Sequence, residues 1–233
     1  LLAYLQTVEV ILSSYGLMFL LVIPLLWLRP RHLALLVVVV AVAAPVLLVA
    51  TADLGLPYTG TDFDPTLTTL MTEPGTLLIL LLVTGVYPVV IYFGYLCAGL
   101  AVGRLDLSSR RLAWWLLGGG MALVALAQAV SAFLLYRLGG LSKLMADIGE
   151  TGVGPPQPDK LLWYPHQADS WWYLALTAPH AHTNLDIANT LGSALALLGL
   201  AIALIPGTVP MEITPDRRFM YCHTVNLRDP EDQ

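Results

Sequence analysis

Residues 177–206 read TAPHAHTNLDIANTLGSALALLGLAIALIP. From Ile187 to Ile205 this stretch has no ionisable side chain, and a helix of about 20 apolar residues is what crosses a bilayer core of about 30 Å. The head of the same stretch carries His180, His182, Asn184 and Asp186. Such a polar head is either the capping entrance of a membrane helix or part of a site.

Four more apolar runs can be marked, at Val10–Leu28, Leu33–Ala52, Thr76–Val102 and Ala113–Leu138. With 57% hydrophobic and 12% charged residues, the chain departs from the roughly 25% charged content of soluble domains. The runs do not alternate with period two, which excludes a transmembrane barrel. The expectation is an all-α, polytopic transmembrane helical bundle with about five full spans at 1–206, followed by a polar cytoplasmic tail at 207–233. The segment WWYLALTA, 171–178, is too short to cross and is expected to be re-entrant or interfacial. Pro24, Pro45 and Pro88 interrupt their runs and predict kinks.

Orientation follows from the basic residues. Arg29, Arg31, Arg104, Arg110, Arg111, Arg217, Arg218 and Arg228 fall on one side of the predicted bundle, and Arg137, Lys143 and Lys160 on the other. The positive-inside rule makes the first side cytoplasmic. Residues 29–32, 103–112 and 207–233 are then cytoplasmic, and 53–75 and 139–186 extracytoplasmic. An outside start without a signal sequence leads us to expect further spans before Leu1. No basic stretch suggests nucleic acid, and two cysteines, Cys97 and Cys222, suggest neither a structural disulfide nor a cysteine-rich metal site. Nine Arg to two Lys, with many Gly and Ala, fits a bacterial source.

Few polar positions are available for chemistry. His180 and His182 are two apart, so on an extended segment they point the same way. Imidazole changes charge near neutral pH and suits a general base. Zinc would need three or four ligands, with His166, Asp169 or Asp186 recruited, and no metal is expected. Thr183 or Asn184 can instead cap the last span, with Asp186 favourable in its first turn. Trp171 and Trp172 can anchor in the headgroup layer or stack on a sugar face. Tyr87, Tyr92 and Tyr95, and the pair Gln128 and Ser131, read as contacts between helices. No phosphate-binding loop, nucleotide fingerprint, zincin motif or nucleophile elbow occurs.

Two separated segments carry a resemblance: YPVVIYFGYLCAGLAVGRLDLSSRRLAWWLLGGGMAL, 87–123, and APHAHTNLDIANTLGSALALLGL, 178–200. Together they resemble the heparan-alpha-glucosaminide N-acetyltransferase-like family of bacterial membrane proteins, in which a GLAxGRxDL turn and a PHxxT loop before a GSALAxLGL span recur. The resemblance implies an acyltransferase taking an acyl group from acetyl-CoA or another acyl-CoA on the cytoplasmic side to an outward glycan or glycolipid acceptor. The histidine assigned the catalytic role in better-known members lies near the first span and has no counterpart here. On this reading His180 and His182 are catalytic, Thr183, Asp186, Trp171 and Trp172 bind the acceptor, and Arg104, Arg110 and Arg111 meet the donor's phosphates. The bilayer is the obligatory partner, and a homo-oligomer is left open. A transporter or flippase subunit, or a structural membrane protein without chemistry, are the competing expectations.

Overall fold

The computed structural model describes residues 12–54, 56, 67–85, 87–150, 170–204, 211–213 and 220–222. Its described core is helical: α1 (Leu12–Leu25), α2 (Pro30–Ala50), α3 (Leu67–Thr72), α4 (Pro74–Ile79), α5 (Val89–Val102), α6 (Arg110–Ala132), α7 (Gly140–Glu150) and α8 (Asn184–Leu204). Single π-helical turns at Leu80–Thr84 and Phe133–Arg137 extend α4 and α6. Among the described residues, three helices are long and apolar enough to cross a membrane: Pro30–Ala50, Arg110–Arg137 and Asn184–Leu204.

The five expected spans are therefore not all continuous helices. The stretch beginning at Val10 yields a described helix of only 14 residues, Leu12–Leu25, short of a full crossing. The stretch expected at Thr76–Val102 is a broken pair, Pro74–Thr84 and Val89–Val102, bent by 57°. Pro88 cannot donate a backbone bond and stands as the cap before Val89, so a new helix starts there. Counted as one, this pair would bring the crossings to four.

Two of the polar stretches between the expected spans also carry helix. Residues 67–72, within the segment 53–75, are helical. The segment after Leu138 opens with α7, because Leu141, Leu144 and Met145 recur at helical spacing and give it an apolar stripe. Gly139, at φ 77, provides the left-handed turn by which the chain leaves α6 and enters α7. In the tail, Met211–Ile213 pairs antiparallel with Met220–Cys222, so the chain is not helical throughout. Arg217, Arg218 and Arg228 lie outside the described residues, as do Lys160, His166 and Asp169.

Helix α2 threads three layers of buried side chains. At its start Leu33 packs with Leu25 and Cys97, which is a free thiol. Farther along, Ala44 packs with Ile91 of α5 and Ile187 of α8. At its end Val49 meets the cluster of Leu144, Tyr173, Leu176 and Ala181.

The tightest pairing is α6 against α8, and glycines make it. A Cβ on Gly120 would stand 2.5 Å from the Gly192 carbonyl oxygen and 2.5 Å from the Ala196 amide. One on Gly192 would stand 2.8 Å from the Gly120 oxygen, and one on Gly199 would collide with the backbone of Ala113 and Leu117. Lipid tails give helices no hydrophobic reason to associate, so close backbone approach of this kind is what joins them. Gln128 and Ser131 extend the contact: Gln128 donates to the Asn189 side chain at 3.1 Å, and Ser131 to the Ala175 carbonyl at 2.6 Å.

Candidate functional site

The PHAHT loop is built by two local devices. Thr183 caps α8: its hydroxyl accepts from the Asp186 amide at 2.9 Å, and its carbonyl accepts from Ile187 at 3.0 Å. Asp186 reaches back and accepts from the His182 amide at 3.0 Å, and also from the Thr190 hydroxyl at 3.1 Å. This is a capping box displaced by one residue, with Asp in the place of Glu or Gln. The Thr183 hydroxyl donates in turn to the Leu176 carbonyl at 2.5 Å, tying the cap to the preceding strand of chain.

The second device is the turn Ala178–Pro179–His180–Ala181, closed by the Ala181 amide on the Ala178 carbonyl at 3.1 Å. His180 has φ 63 in its third position, and His182 has φ 57 two residues on. Proline in the second position and positive φ in the third define a type II turn, where glycine is the usual third residue. A non-glycine residue held there costs about 1–3 kcal/mol, and such strain clusters at functional sites.

Tyr92 of α5 is what the two histidines share. Its hydroxyl lies 3.4 Å from His180 Nδ1, and its ring meets the His182 ring edge to face at 5.9 Å. Tyr87 and Tyr95 flank Tyr92 at 5.9 and 5.8 Å. His180 is exposed, whereas His182 is 5% exposed. The sequence spacing brought the pair together, but through a turned backbone rather than an extended one.

Above the loop, the turn Trp171–Ala175 and helix α7 form a roof. Tyr173 donates to the Ala181 carbonyl at 2.7 Å, and Leu144 is buried against it. Trp172 covers Gly140 and lies under the Lys143 ammonium at 5.1 Å, a cation–π contact. Trp171 remains 59% exposed, so of the two tryptophans it alone has its face free for a headgroup or sugar.

Below the loop, Asn184 holds α8 to α2. Pro45 has no N–H, so the Ala41 carbonyl lacks its helical donor. The Asn184 amide fills that vacancy, donating to Ala41 O at 2.6 Å and to Val42 O at 3.0 Å. Ala41 lies nine residues before the end of α2 at Ala50, or ~13 Å along the helix. The PHAHT loop is thus inset from the end of α2. Thr177 donates to Gln128 at 3.3 Å, continuing a polar chain to Asn189 at the same level.

The expected residues fall into two groups at opposite ends of the helices. Thr183 and Asp186, expected among the acceptor-binding groups, are 0% and 2% exposed and are spent on the cap; they position the loop and do not face an acceptor. Arg104, expected at the donor's phosphates, donates to the carbonyls of Leu25, Leu26 and Leu28. It caps the C-terminus of α1, where a cation is favourable. Arg110 and Arg111 are exposed in the first turn of α6, whose cap is Ser109, accepting from Leu112 at 3.3 Å.

Tyr92 and Asn184 are the residues whose importance the sequence hid. A free carbonyl four residues before Pro45 was the available signal for Asn184. Among the described residues, no group of three or more His, Cys, Asp or Glu is placed to hold a metal ion. Comparisons with protein-family models, curated proteins and solved structures find no match for this chain. The geometry presents an exposed imidazole at positive φ, with its Nδ1 against the Tyr92 hydroxyl.

Proposed function

We propose that the chain is a membrane acyltransferase, or the later-span part of one, that moves an acyl group from a cytoplasmic acyl-CoA to an extracytoplasmic glycan or glycolipid. The observation that supports it is the His180 imidazole, exposed in a left-handed turn with Nδ1 against the Tyr92 hydroxyl. In the productive tautomer Nδ1–H donates to the Tyr92 oxygen, and the Nε2 lone pair takes the proton from the acceptor hydroxyl or amine. The acceptor oxygen or nitrogen then bonds to the thioester carbonyl carbon. The carbon–sulfur bond breaks, and the CoA thiolate leaves and takes up a proton. His182, packed on Tyr92, fixes that ring. Arg110 and Arg111 are the exposed cations left for the donor's phosphates. Trp171 offers the acceptor a stacking face.

The test uses the full-length protein in proteoliposomes with radiolabelled acetyl-CoA and envelope glycolipid. His180→Ala should lower transfer by about 10² or more, the range of general-base catalysis. Unchanged turnover removes His180 from the reaction. Calorimetric binding of acetyl-CoA, lost in the Arg110→Ala/Arg111→Ala variant, would support the donor site. The proposed orientation predicts that a cysteine at position 61 is labelled from outside by an impermeant thiol reagent and one at 108 is not.

A second reading, a transporter or flippase subunit, draws support from the 57° break before α5 and from the start of α8 beside the middle of α2. Discontinuous helices around a midplane site are common in transporters. Substrate movement across proteoliposomes without any acyl donor would favour it.

A further inference from the structure

Two faces of α8 are taken and a third is open. Gly192 and Gly199 set one face against α6, and Ile187 packs another against Ala44 of α2 and Ile91 of α5. The open face carries Thr190, Ala194, Leu197, Ala201 and Leu204, all exposed. Spacings of four, three, four and three place them in one stripe along the helix.

Polarity changes along that stripe. At its head, uncharged polar groups run from α5 across α8 to α6. On the α5 side the Tyr95 hydroxyl meets the Thr190 hydroxyl, and Tyr92 stands between Tyr95 and His180. On the α6 side Gln128 joins Asn189 to Thr177, which lies three residues before His180. Below this belt the stripe is hydrocarbon, with Leu197 and Leu204 66% and 69% exposed.

The belt is inset from the helix ends. Gln128 lies nine residues before Arg137, where the α6 stretch ends, and Ala41, the partner of Asn184, lies nine before the end of α2. Each offset is about 13 Å. Helices that cross a hydrocarbon core of about 30 Å hold such groups inside it, where an amide without a partner is costly. Gln128 is nevertheless exposed, and among the described residues the Asn189 amide N–H groups meet no acceptor. A ligand that offers hydroxyls to the belt and hydrocarbon to the stripe answers both features. The belt has no Lys or Arg to balance a phosphate, so the headgroup it fits is uncharged.

We infer that belt and stripe form a lateral seat for a neutral glycolipid, with sugar hydroxyls bonded by Gln128, Asn189 and Thr190 and a hydrocarbon chain lying on Ala194, Leu197 and Leu204. The inference rests on the acyl-transfer reading in one respect: there the seated lipid is the acceptor, and its sugar reaches His180 from the side of the bundle.

The experiment is photolabelling of the full chain in proteoliposomes. The probe is a monoglucosyl diacylglycerol with a diazirine on its chain; diacylglycerol and phosphatidylglycerol with the same chain are the comparators, and labelled peptides are read by mass spectrometry. The glucolipid should label residues 194–204 about fivefold or more above either comparator, as two or three hydrogen bonds of about 2–10-fold each would give. Gln128→Leu, Asn189→Leu and the near-isosteric Thr190→Val should each lower glucolipid labelling about 2–10-fold and leave diacylglycerol labelling unchanged, with folding checked by circular dichroism. Ala194→Phe, which fills the stripe, should lower labelling by all three lipids. Equal labelling by glucolipid and diacylglycerol overturns the seat, as does a preference for phosphatidylglycerol or an undiminished preference in the folded Gln128→Leu/Asn189→Leu variant. In a Cys222→Ser background, Leu197→Cys that links two copies without glucolipid labelling overturns it in favour of a second copy. The labelling needs no acyl donor and should persist in His180→Ala. Selective labelling without acyl transfer therefore keeps the seat and removes the reaction, whereas acyl transfer to methyl glucoside without selective labelling keeps the reaction and removes the seat.

Discussion

Asn184→Leu removes a side chain that compensates for a proline inside α2, and its cost can be worked out from two distances. The Asn184 amide donates to Ala41 O at 2.6 Å and Val42 O at 3.0 Å. Val42 keeps a potential helical donor in Val46, but Ala41 faces Pro45 and has none. A stranded acceptor in apolar surroundings costs about 1–3 kcal/mol. Interhelical hydrogen bonds measured in bilayers average about 0.6 kcal/mol and reach about 1.7. The expected loss is therefore about 1–2 kcal/mol. The decisive perturbation is the same change made in a Pro45→Ala background, where the alanine N–H can bond Ala41 O within the helix. Pro45 is fully buried, so Pro45→Ala carries a cavity cost of its own, which the double-mutant cycle subtracts. Unfolding of the four proteins by SDS in mixed micelles, followed by circular dichroism, gives the coupling. Asn184→Leu should cost about 1 kcal/mol less when residue 45 is alanine. Equal cost in both backgrounds would refute the pin, and with it the placement of the PHAHT loop at the level of Ala41.

Other substitutions probe the remaining joints. Gly120→Ala should destabilise by about 1–3 kcal/mol in the same assay, because its Cβ meets backbone rather than a movable side chain; Gly118→Ala, with open space around it, should be neutral or slightly stabilising. Tyr92→Phe keeps the ring but removes the hydroxyl near His180, and should lower acyl transfer about tenfold while adding nothing to the loss in His180→Ala. Additive losses would separate Tyr92 from the imidazole. Arg104→Gln should uncap α1 at a cost of about 1–3 kcal/mol and speed hydrogen exchange in α1, whereas Arg110→Gln should leave stability unchanged.

The sequence made three helices legible because their apolar runs are long and free of charge: α2, α6 and α8 begin and end within a few residues of their expected limits. The runs that misled are those broken by geometry that hydropathy does not sense. Pro88 looked like a kink within one long span, but it starts a separate helix after a π-helical turn. Helix α7 was hidden because its apolar stripe is only a few residues among polar ones. At the site, the spacing of His180 and His182 singled out the loop that Tyr92 meets, and the threonine and aspartate read as acceptor-binding form its cap. What sequence spacing does not encode is which distant segment supplies the partner. Tyr92 is 88 residues from His180, and Asn184 is 143 residues from Ala41.

The left-handed histidine ties the scaffold to the chemistry, and it can be tested without a substrate. At φ 63, His180 occupies a conformation that favours glycine, and its side chain is exposed, so little packing offsets the strain. His180→Gly should raise stability by about 0.5–1 kcal/mol, because glycine adopts this conformation without a Cβ clash. His180→Ala removes the same imidazole but keeps the Cβ, and should not share the gain. The pair thus separates backbone strain from the loss of the ring. If both variants lose acyl transfer while only the glycine gains stability, the fold gives up stability to hold an imidazole where glycine would fit better. That is the pattern expected of a residue kept for function. Equal stability of the two variants would mean that the turn carries no strain, and the argument from backbone conformation to a site at His180 would fail.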